Sequence, residues 1–324
     1  MPTTIIVTLF EGDYHYGVAS LTNSLFQQGF RGVIYAGYKG ALPCWAAPAV
    51  QDGSLSWKGS RHLMVAKDLC ICFLPIDTDY HLTNYKPDFM LQVWNLYAAD
   101  STAIFYFDPD IVVAAPWNYF EEWVLGGVAL CEDVNSPLSE NHPRRSAWRK
   151  FYRQHNIALT FKEPLYVNGG YVGVHIENIS FLAAWKKIQE VMALAIGGLN
   201  RSIFRAEDPL PVEANGPFAP FGKTDQDALN ATIEAWDGSV SIVGKDGMSF
   251  TSGVAAMPHA IGSPKPWHRK SLAEAIAGRP PRQVDHAYWS FAKGPVTVHS
   301  SAEVYRKTVL LKVSAFICRF YRRG

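Results

Sequence analysis

Short apolar runs alternate along the chain with stretches whose apolar residues recur at helical spacing. Ile5 to Phe10 is continuous in Ile, Val, Leu and Phe apart from one Thr and predicts a buried strand. Val18, Leu21, Leu25 and Phe26 follow at i, i+3, i+7 and i+8, the spacing of one helix face. Gly32 to Tyr35 and Leu69 to Leu74 read as further strands. Pro87 stands where the first turn of a helix accepts it, and Phe89, Val93, Leu96 and Tyr97 mark that helix's apolar face. Thr102 to Phe107, Gly127 to Cys131, Tyr171 to His175 and Val240 to Val243 complete the strand set, and Ile179 to Ile196 is the longest interior helix. Such alternation predicts an α/β layer architecture. Two stretches carry no period: Asp133 to Arg145, polar and turn-rich, and Gly197 to Lys223, rich in Gly, Pro and Asn. Loops of this length in a compact domain carry function or disorder.

Composition narrows the class. A chain of 324 residues with 48% apolar content can bury a full core, and its charge is sparse at 18%. The formal net charge of +1 excludes an acidic disordered chain and argues against a whole-surface nucleic-acid binder. Five cysteines without regular spacing are no disulfide framework, and Cys70 and Cys72 in the apolar run LCICFL read as buried thiols of a reduced, cytoplasmic protein. The N-terminus lacks the basic region of a secretory signal. The longest uncharged stretch, Gly247 to Pro264, is broken by Gly and Pro, so no segment offers the roughly 20 apolar residues of a spanning helix.

The sharpest local feature is TAIFYFDPDIVV, an apolar strand ending in Asp108-Pro109-Asp110. Two carboxylates two residues apart can grip one hard cation, and in open α/β sheets ligands collect beyond the carboxyl ends of strands. Spacing alone is weak: sixteen Asp in 324 residues give roughly 0.8 chance Asp-x-Asp triplets, and three occur. Far along the chain, AAMPHAIGSPKPWHRK sets His259, Gly262, Lys265, Pro266 and Trp267 within nine residues. An imidazole ligates Mn²⁺ and its neighbours, a glycine lets backbone N–H groups approach a phosphate, and a lysine adds a point charge for the same anion.

The run His259-x-x-Gly262-x-x-Lys265-Pro266-Trp267, with Asp108-x-Asp110 about 150 residues earlier, resembles the retaining glycosyltransferases of family eight, among them glycogenin and the bacterial lipopolysaccharide galactosyl- and glucosyltransferases. YGVASLTNSL, YVNGGYVGVHIEN and TDQDALN resemble further segments of that family, in family order. The resemblance implies a GT-A fold, the Rossmann-like fold of nucleotide-diphospho-sugar transferases, over residues 1–270, followed by a helical extension over 271–324. It implies a nucleotide-sugar donor, most often a UDP-sugar, and a divalent cation, Mn²⁺ or Mg²⁺. Asp108, Asp110 and His259 would hold the metal. Gly262 and Lys265, with Asp108, would take the diphosphate; Thr8, Leu9, Phe10 and Tyr16 would line the nucleoside pocket, and Lys86 and Phe107 would complete the donor site. Asn168, Asp225 and Gln226 would handle the transferred sugar, with Asp225 the candidate nucleophile of a two-step route. Asp133 and Trp267 would meet a glycan or lipid-linked glycan acceptor. Asp225 also suits a helix N-cap. Two rival readings are a sugar nucleotidyltransferase, whose Gly- and Arg-rich loop is missing after the first strand, and a non-catalytic sugar-nucleotide-binding protein.

The segment Val304 to Gly324 carries Arg306, Lys307, Lys312, Arg319, Arg322 and Arg323 and no acid. Tyr305, Val309, Val313, Phe316 and Phe320 share one helical arc, with most of the cations outside it. That pattern predicts an interfacial helix on an anionic membrane, hence a protein attached peripherally to the inner face of the cytoplasmic membrane and acting in lipopolysaccharide or related glycan synthesis. Arg144 and Arg145, in the polar loop, are expected to meet acceptor phosphates.

Overall fold

A computed structural model describes residues 3–320 apart from 52, 54, 99, 205–206, 208 and 215–218. In chain order the elements are β1 (Thr3–Glu11), α1 (His15–Gln27), β2 (Gly32–Lys39), β3 (Val50–Gln51), β4 (Arg61–Ala66), β5 (Leu69–Pro75), α2 (Lys86–Tyr97), β6 (Ser101–Phe107), α3 (Trp117–Trp123), β7 (Val128–Cys131), α4 (Pro143–Gln154), β8 (Tyr171–His175), α5 (Ser180–Ile196), α6 (Thr224–Ala235), β9 (Val240–Val243), α7 (Ser271–Ile276), α8 (Gln283–Phe291) and α9 (Ser301–Ile317). The architecture is mixed α/β, in keeping with the GT-A, Rossmann-like arrangement that the resemblance implies.

The chain divides into two compact units. The first comprises Met1–Leu9, Pro75–Phe107 and Phe120–Lys245. Its strands run in the order β1-β6-β8-β7-β9. β1 and β6 are parallel, with Ile5 opposite Ile104 and Val7 opposite Tyr106; β8 is antiparallel to both β6 and β7, and β7 and β9 are parallel. Ile104 to Phe107 are all buried, because a central strand covered on both faces must be apolar throughout. α5 packs on α2 and α6. Trp148 and Tyr152 of α4, Tyr166, Ile188 and Met192 of α5, and Phe221 form an apolar cluster in this unit.

The second unit comprises Phe10–Leu74, Asp108–Tyr119 and Asp246–Gly324. Its strands follow the order β3-β4-β5-β2, with β4 antiparallel to β3 and to β5. α9 packs on α7 and α8, and α1 on α8. Asn23 of α1 clamps the turn after α8: its amide donates to the carbonyls of Phe291 (3.1 Å) and Val296 (2.8 Å), and its oxygen accepts from the N–H of Val296. Trp267, Tyr288, Trp289, Val304 and Leu311 form an apolar cluster with Tyr14 and Tyr16 against it. α7, α8 and α9 occupy the region expected to be a helical extension.

Elements β3, β4, α3 and α4 differ from the sequence reading. The polar stretch from Asp133 does not continue as loop to Arg145. Pro143 opens α4, His142 caps it by accepting from the N–H of Arg144, and the helix carries both arginines in its first turn. β4 joins the strand set unannounced. Among the described residues no helix is long and apolar enough to cross a membrane.

Candidate active site

The carboxylate segment and the histidine segment lie in the same unit and are laced together by backbone bonds. Ile111 pairs with His259 as an antiparallel bridge. The N–H of Ala260 donates to the carbonyl of Asp110 (3.0 Å), and that of Val112 to the carbonyl of Pro258 (3.1 Å). Asp108 follows β6 directly, and the chain turns at once, with the N–H of Ile111 donating to the carbonyl of Asp108. α1 reaches this turn because residue 17 is glycine: a Cβ there would stand 2.0 Å from the carbonyl oxygen of Pro109.

The result is a three-residue cluster. One ligand atom from each of Asp108, Asp110 and His259 lies within 4.8 Å of the others. His259 Nε2 stands 3.2 Å from Asp110 Oδ1 and 3.9 Å from Asp108 Oδ2. Lys265 Nζ donates to Asp110 Oδ2 at 2.5 Å and to the carbonyl of Ala260 at 2.8 Å. Burial alone would raise the Asp110 carboxyl, but His259 and Lys265 outweigh it and hold the group well below the ordinary carboxylate range. Burial works against the Lys265 ammonium, and Asp110 overcomes it, with Tyr14 and Asp108 helping, so its pKa is raised. Gly262 sits at φ +73°, in the left-handed region, with open space around its Cα.

Tyr14, which sequence reasoning passed over in favour of Tyr16, belongs to this cluster. Lys265 Nζ lies 5.5 Å from its ring centre. Tyr16 instead stacks on His299 (5.2 Å) and tilts toward Trp267 (6.3 Å). Trp267, expected at the acceptor, is 6% exposed; its Nε1 donates to Asp13 at 3.3 Å and its ring meets Tyr14 and Tyr288. Phe10 is buried on Tyr38 and Phe73.

In the other unit a second polar cluster gathers after the strands. Lys86, the first residue of α2, is buried, and its Nζ donates to Asp225 Oδ2 (2.9 Å) and to the carbonyl of Gly169 (2.8 Å). Asp225 lies in the first turn of α6 without capping it; Asp227 takes the N–H of Lys223 at 2.7 Å. Gln226 Oε1 accepts from the N–H of Gly169 at 3.2 Å. Asn168 donates to Asp133 Oδ2 at 2.7 Å. Burial would raise Asp133, but the hydrogen bonds from Asn168 and Asn135 prevail and lower it. Thr8 and Leu9 are buried within β1, and Phe107 is buried on Phe120 and Tyr171.

One expectation is overturned. Arg145 is 2% exposed, ion-paired with Glu234, and donates to the carbonyls of Leu138 and Leu165. It holds the fold together and is not available to a ligand. Arg144 lies 3.6 Å from Asp227.

No protein-family model matches the chain. No curated relative matches it. Among solved structures it is similar to a crystal structure of an active-site mutant of LgtC, at 14% sequence identity and a TM-score of 0.46, over 94% of this chain and 99% of that one.

Proposed function

We propose that the chain is a metal-dependent retaining glycosyltransferase. It would move a hexose from a nucleotide sugar, with a UDP-sugar the favoured donor, to a glycan or lipid-linked glycan. The convergence of Asp108, Asp110 and His259, with the Lys265 ammonium on Asp110, carries this reading. Two carboxylates and an imidazole suit Mn²⁺ or Mg²⁺, and the adjacent cation suits a diphosphate. When bound, such an ion supplies Lewis-acid neutralisation of the diphosphate leaving group. Lys265 adds a second positive charge, and Gly262, where a Cβ would meet nothing within 4 Å, leaves room for a phosphate to approach the backbone.

In the reaction the anomeric C–O bond breaks and its electron pair passes to the diphosphate oxygen. The acceptor hydroxyl oxygen forms the new bond to the anomeric carbon and passes its proton to the departing diphosphate oxygen. Asp225, ion-paired with Lys86, is the nucleophile if the route has two steps; the amide of Gln226 steadies the sugar if it has one. Asn168 and Asp133 are assigned to the sugar and acceptor, and Thr8, Leu9, Phe10, Tyr16, Lys86 and Phe107 to the donor, on the family resemblance.

The outer face of α9 supports attachment to an anionic membrane from the cytoplasmic side. Tyr305, Val309, Val313, Phe316 and Phe320 are exposed while Val304, Leu311 and Ser314 face inward. Arg306 and Lys312 of α9 and Arg319 just beyond it are exposed; Arg322, Arg323 and Gly324 lie outside the described residues.

Calorimetric titration with UDP tests the core of the reading. Binding is expected with Mn²⁺ and lost with excess chelator; equal affinity in both would remove the metal assignment. Slow release of UDP from a UDP-sugar without acceptor is expected. Inertness toward every donor and acceptor would leave a sugar-nucleotide-binding protein. Pyrophosphate release from a nucleoside triphosphate and a sugar phosphate would identify a nucleotidyltransferase.

A further inference from the structure

Helix α4 carries five cations, Arg144, Arg145, Arg149, Lys150 and Arg153, and no acid. The inward pair is spent on structure, Arg145 on Glu234 and Arg144 near Asp227. The outward residues Ser146, Arg149, Lys150, Arg153 and Gln154 fall at i, i+3, i+4, i+7 and i+8, one face of the helix. They line a shallow, open cleft of about 480 Å³ on the surface. All five side chains can donate hydrogen bonds, three are cationic, and no carboxylate is among them. Arg149 is partly committed, with Nε 3.3 Å from Glu234 Oε2 and a terminal amine 2.6 Å from the carbonyl of Glu140. Lys150 and Arg153 are exposed and have no side-chain partner among the described residues.

We propose that this cleft binds a phosphate monoester carried on a glycan. Neighbours at i+3 and i+4 stand roughly 5–6 Å apart at Cβ, close enough for Arg149, Lys150 and Arg153 to converge on one tetrahedral anion. An arginine fork and a lysine point charge suit phosphate oxygens. Ser146 and Gln154 at the two ends suit sugar hydroxyls. The face spans only about 12 Å along the axis, and the chain's net charge is +1, both too little for a nucleic-acid track. That the glycan is the acceptor of the proposed transfer rests on the transferase reading; the binding itself does not.

The test is direct binding of a phosphorylated glucan oligosaccharide in chelator, with no donor present, so its result is independent of the metal and transfer assignments. The expected result is saturable binding, weakened by added salt, and lost at least tenfold when the oligosaccharide is treated with phosphatase. The exposed double variant Lys150→Glu/Arg153→Glu should lose at least tenfold while keeping the wild-type melting midpoint. Lys187→Glu, an exposed cation on α5, should change nothing. The milder Lys150→Gln/Arg153→Gln serves if the charge reversal perturbs folding. Equal binding of the phosphatase-treated sugar, equal binding by the variants, or tighter binding of an RNA oligonucleotide would each overturn the proposal.

Discussion

Lys265 and Asp110, 155 residues apart, meet at 2.5 Å. The contact places a cation on the outer oxygen of a buried carboxylate whose other oxygen faces His259. The proposed metal ligand and the proposed diphosphate-binding cation are thus built as one unit, each holding the other in position.

Removing either partner should therefore have two consequences. Asp110→Ala leaves Lys265 and His259 without their shared anion and should cost about 3 kcal/mol of stability, the scale for breaking a buried pair. It should also abolish Mn²⁺-dependent UDP binding. Lys265→Met keeps the three metal ligands, so it should retain Mn²⁺ binding yet lower the transfer rate about 100-fold. Calorimetry with Mn²⁺ alone separates the two variants, and equal Mn²⁺ affinity in both would contradict the assignment.

Lys86 and Asp225 make the corresponding pair in the other unit, both nearly excluded from solvent. Asp225→Ala should destabilise by about 3–5 kcal/mol through the uncompensated ammonium. Asp225→Ala/Lys86→Met should recover much of that loss, because both charges are gone. Denaturant titrations of the two single variants and the double variant check this; additive losses would show that the pair is not coupled.

Gly17→Ala tests how α1 supports the carboxylate turn. The new Cβ would overlap the carbonyl oxygen of Pro109, which is backbone and cannot swing aside. The expected cost is about 1–3 kcal/mol, together with weakened Mn²⁺ affinity as Asp108 and Asp110 shift. Unchanged affinity would show that the turn holds its shape without α1.

Asp227 gives a pH signature. Burial raises its pKa to about 6, against the opposing pull of Arg144, the Lys223 N–H and Tyr166. The folded state then holds a proton that the unfolded chain releases near pH 3.8. This group's stabilising contribution is full below pH 3.8 and is lost as pH rises through about 6. The loss is on the order of 3 kcal/mol. Asp227→Asn should remove that component; its single amide oxygen can keep accepting from the Tyr166 hydroxyl or from the Lys223 N–H, not from both. Melting midpoints of the variant and wild type, compared from pH 4 to 7, should diverge in slope; parallel profiles would place the raised pKa elsewhere.

What the chain made legible follows from its chemistry. Ile104 to Phe107 announce a central strand because both faces are covered, so the run is apolar without interruption. Asp108, Asp110, His259 and Lys265 stand out because charged groups are rare in their segments and cluster beside Gly and Pro. β4 stayed hidden because Arg61, His62 and Met64 show no clean alternation; its pairing with β3 and β5 defines it. α4 stayed hidden because its inward face relies on Arg145 as well as Trp148 and Tyr152, and an ion pair to Glu234 leaves no apolar period to read. Tyr14 and Tyr16 differ by two positions, and only the packing of Tyr16 on His299 decides which ring meets Lys265.

The last prediction concerns α9. A helix docked only for stability turns its apolar side inward, yet here Tyr305, Phe316 and Phe320 are 70%, 57% and 74% exposed. Docking uses a different side, through Val304 and Leu311 in the cluster with Trp267, Tyr288 and Trp289. An exposed apolar arc flanked by cations is the arrangement that lies in a lipid headgroup layer, with apolar area and charge attraction both contributing. Vesicles containing phosphatidylglycerol should therefore sediment the protein, and purely zwitterionic vesicles should do so weakly. Tyr305→Ser/Phe316→Ser should reduce sedimentation several-fold without lowering the melting midpoint, since neither ring is buried. Lys312→Glu/Arg319→Glu should reduce it most at low salt, where surface charge is least screened. If the ring variant sediments like wild type, or if it loses thermal stability, the outer face of α9 belongs to the protein's own packing and not to a membrane.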